Sequence, residues 1–82
     1  MVGDDMTVWH ILRALEDRAS NRLTPYSSRL EVADHLGRLR GETDPLFDEA
    51  IEKGYVEEHQ RYNENWRLSD QGKTALDAQL FG

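Results

Sequence analysis

Apolar positions along this 82-residue chain follow a helical period up to Gly54, and a strand-like one from there to Leu68. Val8, Ile11, Leu12, Leu15 and Ala19 recur at helical spacing while Arg13, Glu16, Asp17 and Arg18 lie mostly off that stripe, which predicts a first helix over 6–19. Asp4 or Asp5 is placed to cap it, and Asn21 to stop it in a left-handed conformation. Leu23-Thr24 reads as a short extended piece running into Pro25, which excludes helix there. Ser28 followed by Glu31 matches a capping box and opens a second helix over 29–36, with Val32, Ala33 and Leu36 inward and Gly37 as its stop. Gly37 to Thr43 is rich in Gly and Arg and reads as a connector. Asp44-Pro45 then supplies a cap residue and a first-position proline, predicting a third helix over 45–53 with Phe47, Ala50 and Ile51 inward and Gly54 closing it.

Past Gly54, Tyr55 to Arg61 and Trp66 to Leu68 read as two strands joined by the polar turn Tyr62-Asn63-Glu64-Asn65. Asn63 and Asn65 are turn formers that tolerate positive φ. Ser69 caps a last helix over 70–80, with Ala75, Leu76 and Leu80 on one side. Two strands cannot bury themselves, so the hairpin must lie against the helices. The expected fold class is therefore α+β and mostly helical. With no internal repeat and no low-complexity linker, residues 1–82 read as one domain. Trp9 and Trp66 read as packing aromatics, each with an indole N–H that needs a partner.

Three phrases in this order carry a resemblance: EVADHLG at 31–37, AIEKGYVEE at 50–58 and WRLSDQGKTAL at 66–76. They resemble the winged-helix family, particularly the small MarR-like and PadR-like transcription regulators, over nearly the whole chain. Leu36 and Gly54 lie 18 residues apart, which also fits a helix-turn-helix span. The resemblance implies a winged helix: a three-helix core with a helix-turn-helix, a short β-hairpin wing and a C-terminal helix. It further implies a regulator that places its third helix in the major groove of duplex DNA and its wing on the adjacent backbone. That carry-over puts Asp44 to Lys53 in the recognition position.

Charge complicates this expectation. The net charge is −6, with eight arginines and two lysines against sixteen carboxylates, so the overall field repels a polyanion. A salt-adapted or GC-rich source also produces an acidic, lysine-poor composition. On the expected third helix the outward positions are Asp48, Glu49 and Glu52, with Lys53 the one cation, whereas base reading favours Arg, Lys, Asn or Gln. This segment reads as well as a solvated acidic face. The stretch from Arg18 to Arg40 holds five arginines, Arg22 among them, against Glu31 and Asp34. The expected DNA contacts are accordingly Arg38, Arg40 and Thr43 at the helix-turn-helix, supported by Arg29, Lys53, Arg61 and Arg67. The same arginines could equally pack over apolar surface and pair with neighbouring acids.

A second class of function follows from the acidic third helix: a protein-interaction module facing a basic partner, or a DNA mimic in another protein's groove. The terminal Leu80-Phe81 pair either closes the core or extends a homodimer seam formed with the first helix. An enzyme is not expected. There is no cysteine, no phosphate loop and no nucleophile elbow, and His10, His35 and His59 lie about 25 residues apart, without metal-ligand spacing. No catalytic residue, metal or cofactor is expected. No apolar run approaches a membrane span and no leader peptide is visible, so the expectation is a cytoplasmic protein with no membrane partner.

Overall fold

The computed structural model describes residues 6–21 and 24–78. Its elements are α1 (Val8–Ser20), α2 (Arg29–Leu36), α3 (Arg40–Glu52), β1 (Val56–Glu58), β2 (Trp66–Leu68) and α4 (Asp70–Ala78). Thr7 is the N-cap residue of α1, and its backbone N–H donates to His10 Nδ1 at 3.0 Å. Asp4 and Asp5, the expected caps, lie outside the described residues. Asn21 does end α1, but at φ −112° rather than in the left-handed region. Its side-chain amide donates to the Asp17 carbonyl at 2.9 Å, so an orphan carbonyl is satisfied without a left-handed residue. Of the expected extended piece, Leu23 lies outside the described residues and Thr24 sits in a bend. The extended contact falls instead at Ser27, which exchanges two backbone hydrogen bonds of 2.8 Å with Trp66.

The capping box opening α2 is formed: Glu31 N–H donates to Ser28 Oγ at 3.1 Å, and Ser28 N–H to the Glu31 carboxylate at 2.8 Å. Gly37, at φ +68°, ends α2 with its own N–H and that of Arg38 closing on the last-turn carbonyls. The chain then re-enters helix far sooner than Asp44-Pro45 suggests. Leu39 N–H donates to the Glu42 carboxylate at 3.2 Å, and α3 starts at Arg40. Four residues of the expected connector, Arg40 to Thr43, are thus helical. This start places Thr43, Phe47 and Ala50 on one inward face, all 1% exposed or less. Pro45 falls inside α3, lacking the N–H that would bond the Gly41 carbonyl, and both residues are exposed. Pro45→Ala is therefore expected to stabilise the protein by about 1–2 kcal/mol, an interior proline being worth roughly 3 kcal/mol less than alanine and the stiffer unfolded chain returning part of that. A helix beginning at Pro45 would make the same substitution neutral or harmful in a urea titration.

Gly54, at φ +76°, closes α3 as expected, with Tyr55 N–H bonding the Ala50 carbonyl at 2.9 Å. The hairpin is shorter than the alternating pattern implies. β1 and β2 pair antiparallel with Val56 opposite Leu68 and Glu58 opposite Trp66, and pairing stops at Glu58 because β2 offers no partner beyond Trp66. His59 to Arg61 belong to the turn, closed by His59 N–H on the Asn65 carbonyl at 2.8 Å. Positive φ falls on Glu64, at +62°, rather than on either asparagine, and Asn65 serves the turn through its amide, which donates to the Asn63 carbonyl at 3.1 Å. Ser69 caps α4 as expected, accepting from Gly72 N–H at 3.0 Å. The expected residues 79–80 of that helix lie outside the described set.

Helix α1 is central, touching α2, α3, α4 and β2. Ile11, Leu12, Leu15, Val32, Phe47 and Ala50 form the fully buried centre, and Trp66, Val56, Leu68 and Ala75 close it from the hairpin and α4. Trp66 is packed as expected, edge-on to Phe47 at 5.6 Å, but its indole N–H has no acceptor among the described residues. Four helices with a two-stranded antiparallel hairpin make an α+β, winged-helix-like arrangement.

Candidate functional site

The face in question is made by α2, the turn Gly37-Leu39, α3 and the hairpin wing. One residue joins its parts. Arg29, at the start of α2, has a side chain only 17% exposed, with its guanidinium 2.8 Å from Asp48 on α3 and 3.4 Å from Glu64 at the wing tip. The same guanidinium lies over the Phe47 and Trp66 rings, at 5.2 and 5.8 Å from their centroids. Arg29 is thereby a clamp between α3 and the wing, with little of its surface left for a partner. Arg18 plays a similar part behind it, bonding Ser27 Oγ at 3.0 Å and Glu31 at 3.1 Å, so that α1, the bridge residue and the α2 cap are tied together.

The remaining expected contacts are scattered and mostly paired. Arg38 meets Glu42 at 3.4 Å and Arg40 meets Asp44 at 3.5 Å, both one helical turn ahead. Lys53 meets Glu49 at 3.3 Å, and Arg67 meets Glu57, its cross-strand neighbour, at 3.1 Å. Thr43 is buried, and its hydroxyl donates to the Arg40 carbonyl at 3.4 Å. The early start of α3 turns this residue inward, which removes its hydroxyl from the exposed face. Among the described residues, Arg61 and Lys73 are the lysine and arginine side chains without an ion pair, and Arg22 lies outside them. At the helix-turn-helix, Arg38, Arg40 and Lys53 are thus each matched by a carboxylate.

What the face does present is acid and aliphatic surface. Asp48 and Glu52 are exposed on α3, Glu49 half-buried beside them, and Arg40 is the single cation within the helix. Leu39, in the turn, is 75% exposed, and Leu30, on the outer side of α2, is 52% exposed. Sequence reasoning passed over both leucines. The available signal was a mismatch: Leu30 lies off the Val32-Ala33-Leu36 face, and Leu39 sits between two arginines. Sequence reasoning also missed Tyr26, whose ring lies 4.5 Å from His59 on the wing, with Tyr62 4.9 Å beyond His59.

The histidines are dispersed among local tasks. His10 accepts from the α1 cap, His35 Nε2 lies 3.6 Å from Asp17 on α1 rather than engaging Asp34, and His59 stacks within the wing. Among the described residues there is no group of three or more His, Cys, Asp or Glu able to hold a metal ion. No helix among them is long and apolar enough to cross a membrane. Comparison of the chain with protein-family models, with curated proteins and with solved structures finds no match.

Proposed function

We propose that the chain is a winged-helix protein-docking module, whose helix-turn-helix face receives a basic partner surface carrying an apolar side chain. The observation that carries this reading is the composition of that face. Leu39 stands 75% exposed beside a helix holding five carboxylates, while Arg38, Arg40 and Lys53 are each occupied by an acid of α3. An exposed aliphatic anchor between two acid-paired arginines, beside a helix rich in carboxylates, suits a protein interface, in which the buried anchor supplies affinity and the acidic rim steers encounter. Duplex DNA offers the opposite: phosphates would meet Asp48, Glu49 and Glu52, and each arginine would have to exchange a carboxylate for a phosphate. Exposed ion pairs are worth about 0–1 kcal/mol, so the exchange itself is small, but the displaced carboxylates stay on the face and repel the backbone.

The second reading is a DNA-binding regulator of the MarR-like or PadR-like kind, using Arg38, Arg40, Lys53, Arg61 and Arg67. Arg61 favours it, being an unpaired cation on the wing, where a winged helix touches the DNA backbone. In that reading a second copy would pair across the groove between α1 and α4, where Trp9 and Leu76 lie. Leu80 and Phe81, the other expected seam residues, lie outside the described residues.

Fluorescence anisotropy with two probes separates these readings. The probes are an arginine-rich amphipathic peptide with a leucine on its apolar face, and a mixed-sequence duplex. The docking reading expects the peptide to bind and Leu39→Ala to weaken it about tenfold, near 1.4 kcal/mol, with stability unchanged because the side chain is exposed. Binding indifferent to Leu39→Ala would reduce the contact to bulk charge and defeat the docking reading. Duplex binding that falls steeply with salt and is flattened by replacing Arg38 and Arg40 would establish the second.

A further inference from the structure

We propose that the outer edge of the wing binds a nucleoside phosphate, a planar base carrying a phosphate, either as a free nucleotide or as an unpaired nucleotide of a strand. The site is a notch of about 230 Å³ between the Tyr26 segment and the wing, lined by Tyr26, His59, Gln60 and Arg61 among others, with Tyr62 outside it against His59. It shares the wing with the face described above, but none of its lining residues belongs to α2 or α3, and it does not depend on the docking reading. Tyr26, His59 and Tyr62 form a run of rings with centroids 4.5 and 4.9 Å apart, brought together from both sides of the helix-turn-helix in sequence. The Arg67 guanidinium covers the Tyr26 end at 5.4 Å, while the Tyr62 end is open, with that residue 62% exposed. A run of rings capped by a cation at one end and open at the other offers a stacking surface to one more planar ring.

The rings are inclined to one another by 55° and 56°, and polar groups suited to the rest of such a ligand surround them. Arg61 lines the notch and has no carboxylate partner among the described residues. His59 Nδ1 accepts from Arg61 N–H at 3.0 Å, which leaves the ring proton on Nε2 as a donor. Gln60, exposed between them, can both donate to and accept from a base edge. The two carboxylates at the notch each have a partner: Glu57 pairs with Arg67, also of the lining, at 3.1 Å, and Glu58 accepts from the Glu64 N–H at 2.9 Å. An anion approaching Arg61 therefore meets a guanidinium not already neutralised, next to rings able to hold a base.

Amide spectra of the full chain, titrated with adenosine monophosphate, with adenosine, with inorganic phosphate and with a short single-stranded oligonucleotide, test this. Adenosine monophosphate is expected to shift His59, Gln60, Arg61 and Tyr62 saturably. Tyr62→Ala should weaken it about tenfold, the range found for lost base stacking, without loss of fold. Arg61→Ala should weaken adenosine monophosphate and leave adenosine unchanged. Oligonucleotide binding at least tenfold tighter than the mononucleotide assigns the ligand to a strand, and equal binding assigns it to the free nucleotide. The proposal is overturned if the wing does not respond, if inorganic phosphate alone reproduces the shifts, or if Tyr62→Ala leaves binding intact.

Discussion

Gly72→Ala is expected to lower the thermal midpoint by about 10–20 °C, corresponding to roughly 3 kcal/mol at several degrees per kcal/mol for a domain of this size. Gly72 is buried in the first turn of α4, and a Cβ there would overlap the Tyr55 carbonyl oxygen and lie 2.9 Å from its carbon. Neither side can give way easily. Three consecutive carbonyls at the end of α3 are held by the start of α4: Lys53 by the Gln71 amide at 3.0 Å, Gly54 by Ser69 Oγ, and Tyr55 by Ser69 N–H at 2.9 Å. The usual gain of about 1 kcal/mol from replacing a helical glycine by alanine is outweighed by this overlap. Gly41→Ala supplies the contrast, because nothing lies within 4 Å of its added Cβ and the residue is exposed on α3. That substitution should stabilise by up to about 1 kcal/mol. Calorimetry on the pair measures both, and a Gly72→Ala midpoint equal to the parent would mean that α4 does not dock on Tyr55.

Phe47→Ala is expected to cost about 3–5 kcal/mol, enough to leave a domain of marginal stability largely unfolded. Phe47 is 0% exposed and touches the wing through Trp66. It is also the seat of Arg29, whose guanidinium lies over its ring while pairing with Asp48 and Glu64. Loss of the ring therefore opens a cavity and loosens the clamp between α3 and wing together. Phe47→Leu keeps most of the volume and should cost about half as much, with a greater change in Trp66 fluorescence than in helix content. A Phe47→Ala protein melting within a few degrees of the parent would show that the wing and α3 are not coupled through this residue.

The features legible in the sequence are those whose partners are close along the chain. Ser28 and Glu31, Gly37, Gly54 and Ser69 mark their helix ends because a cap needs neighbours only three to five residues away. β2 was legible as Trp66 to Leu68 for a similar reason, with its alternation matched by burial at both ends. The start of α3 was not, because two local signals competed. Asp44-Pro45 is a good cap, but Glu42 reaches back to Leu39, and burial of Thr43 with Phe47 and Ala50 rewards the earlier start. The far end of β1 was missed because alternation says where a strand could run, while its partner's length decides where it stops.

The pairing of the surface arginines was not legible in the sequence. The local arginine excess suggested a phosphate footprint, yet Arg29 pairs with Asp48, 19 residues away, and Arg67 with Glu57, 10 away. Pairings at that separation have no period and no motif. The same holds for Tyr26 and His59, which only the fold brings into contact.

The central claim is that the helix-turn-helix face serves a basic protein rather than DNA, and amide chemical-shift mapping at low salt tests it most directly. One sample of the full chain is titrated with the arginine-rich peptide and another with the duplex. The expected result is saturable peptide shifts at Leu30, Leu39, Asp48 and Glu52, with the duplex leaving α3 unmoved. Saturable duplex shifts at Arg38, Arg40 and Lys53 that shrink as salt rises, with the peptide leaving Leu39 unmoved, would contradict the account.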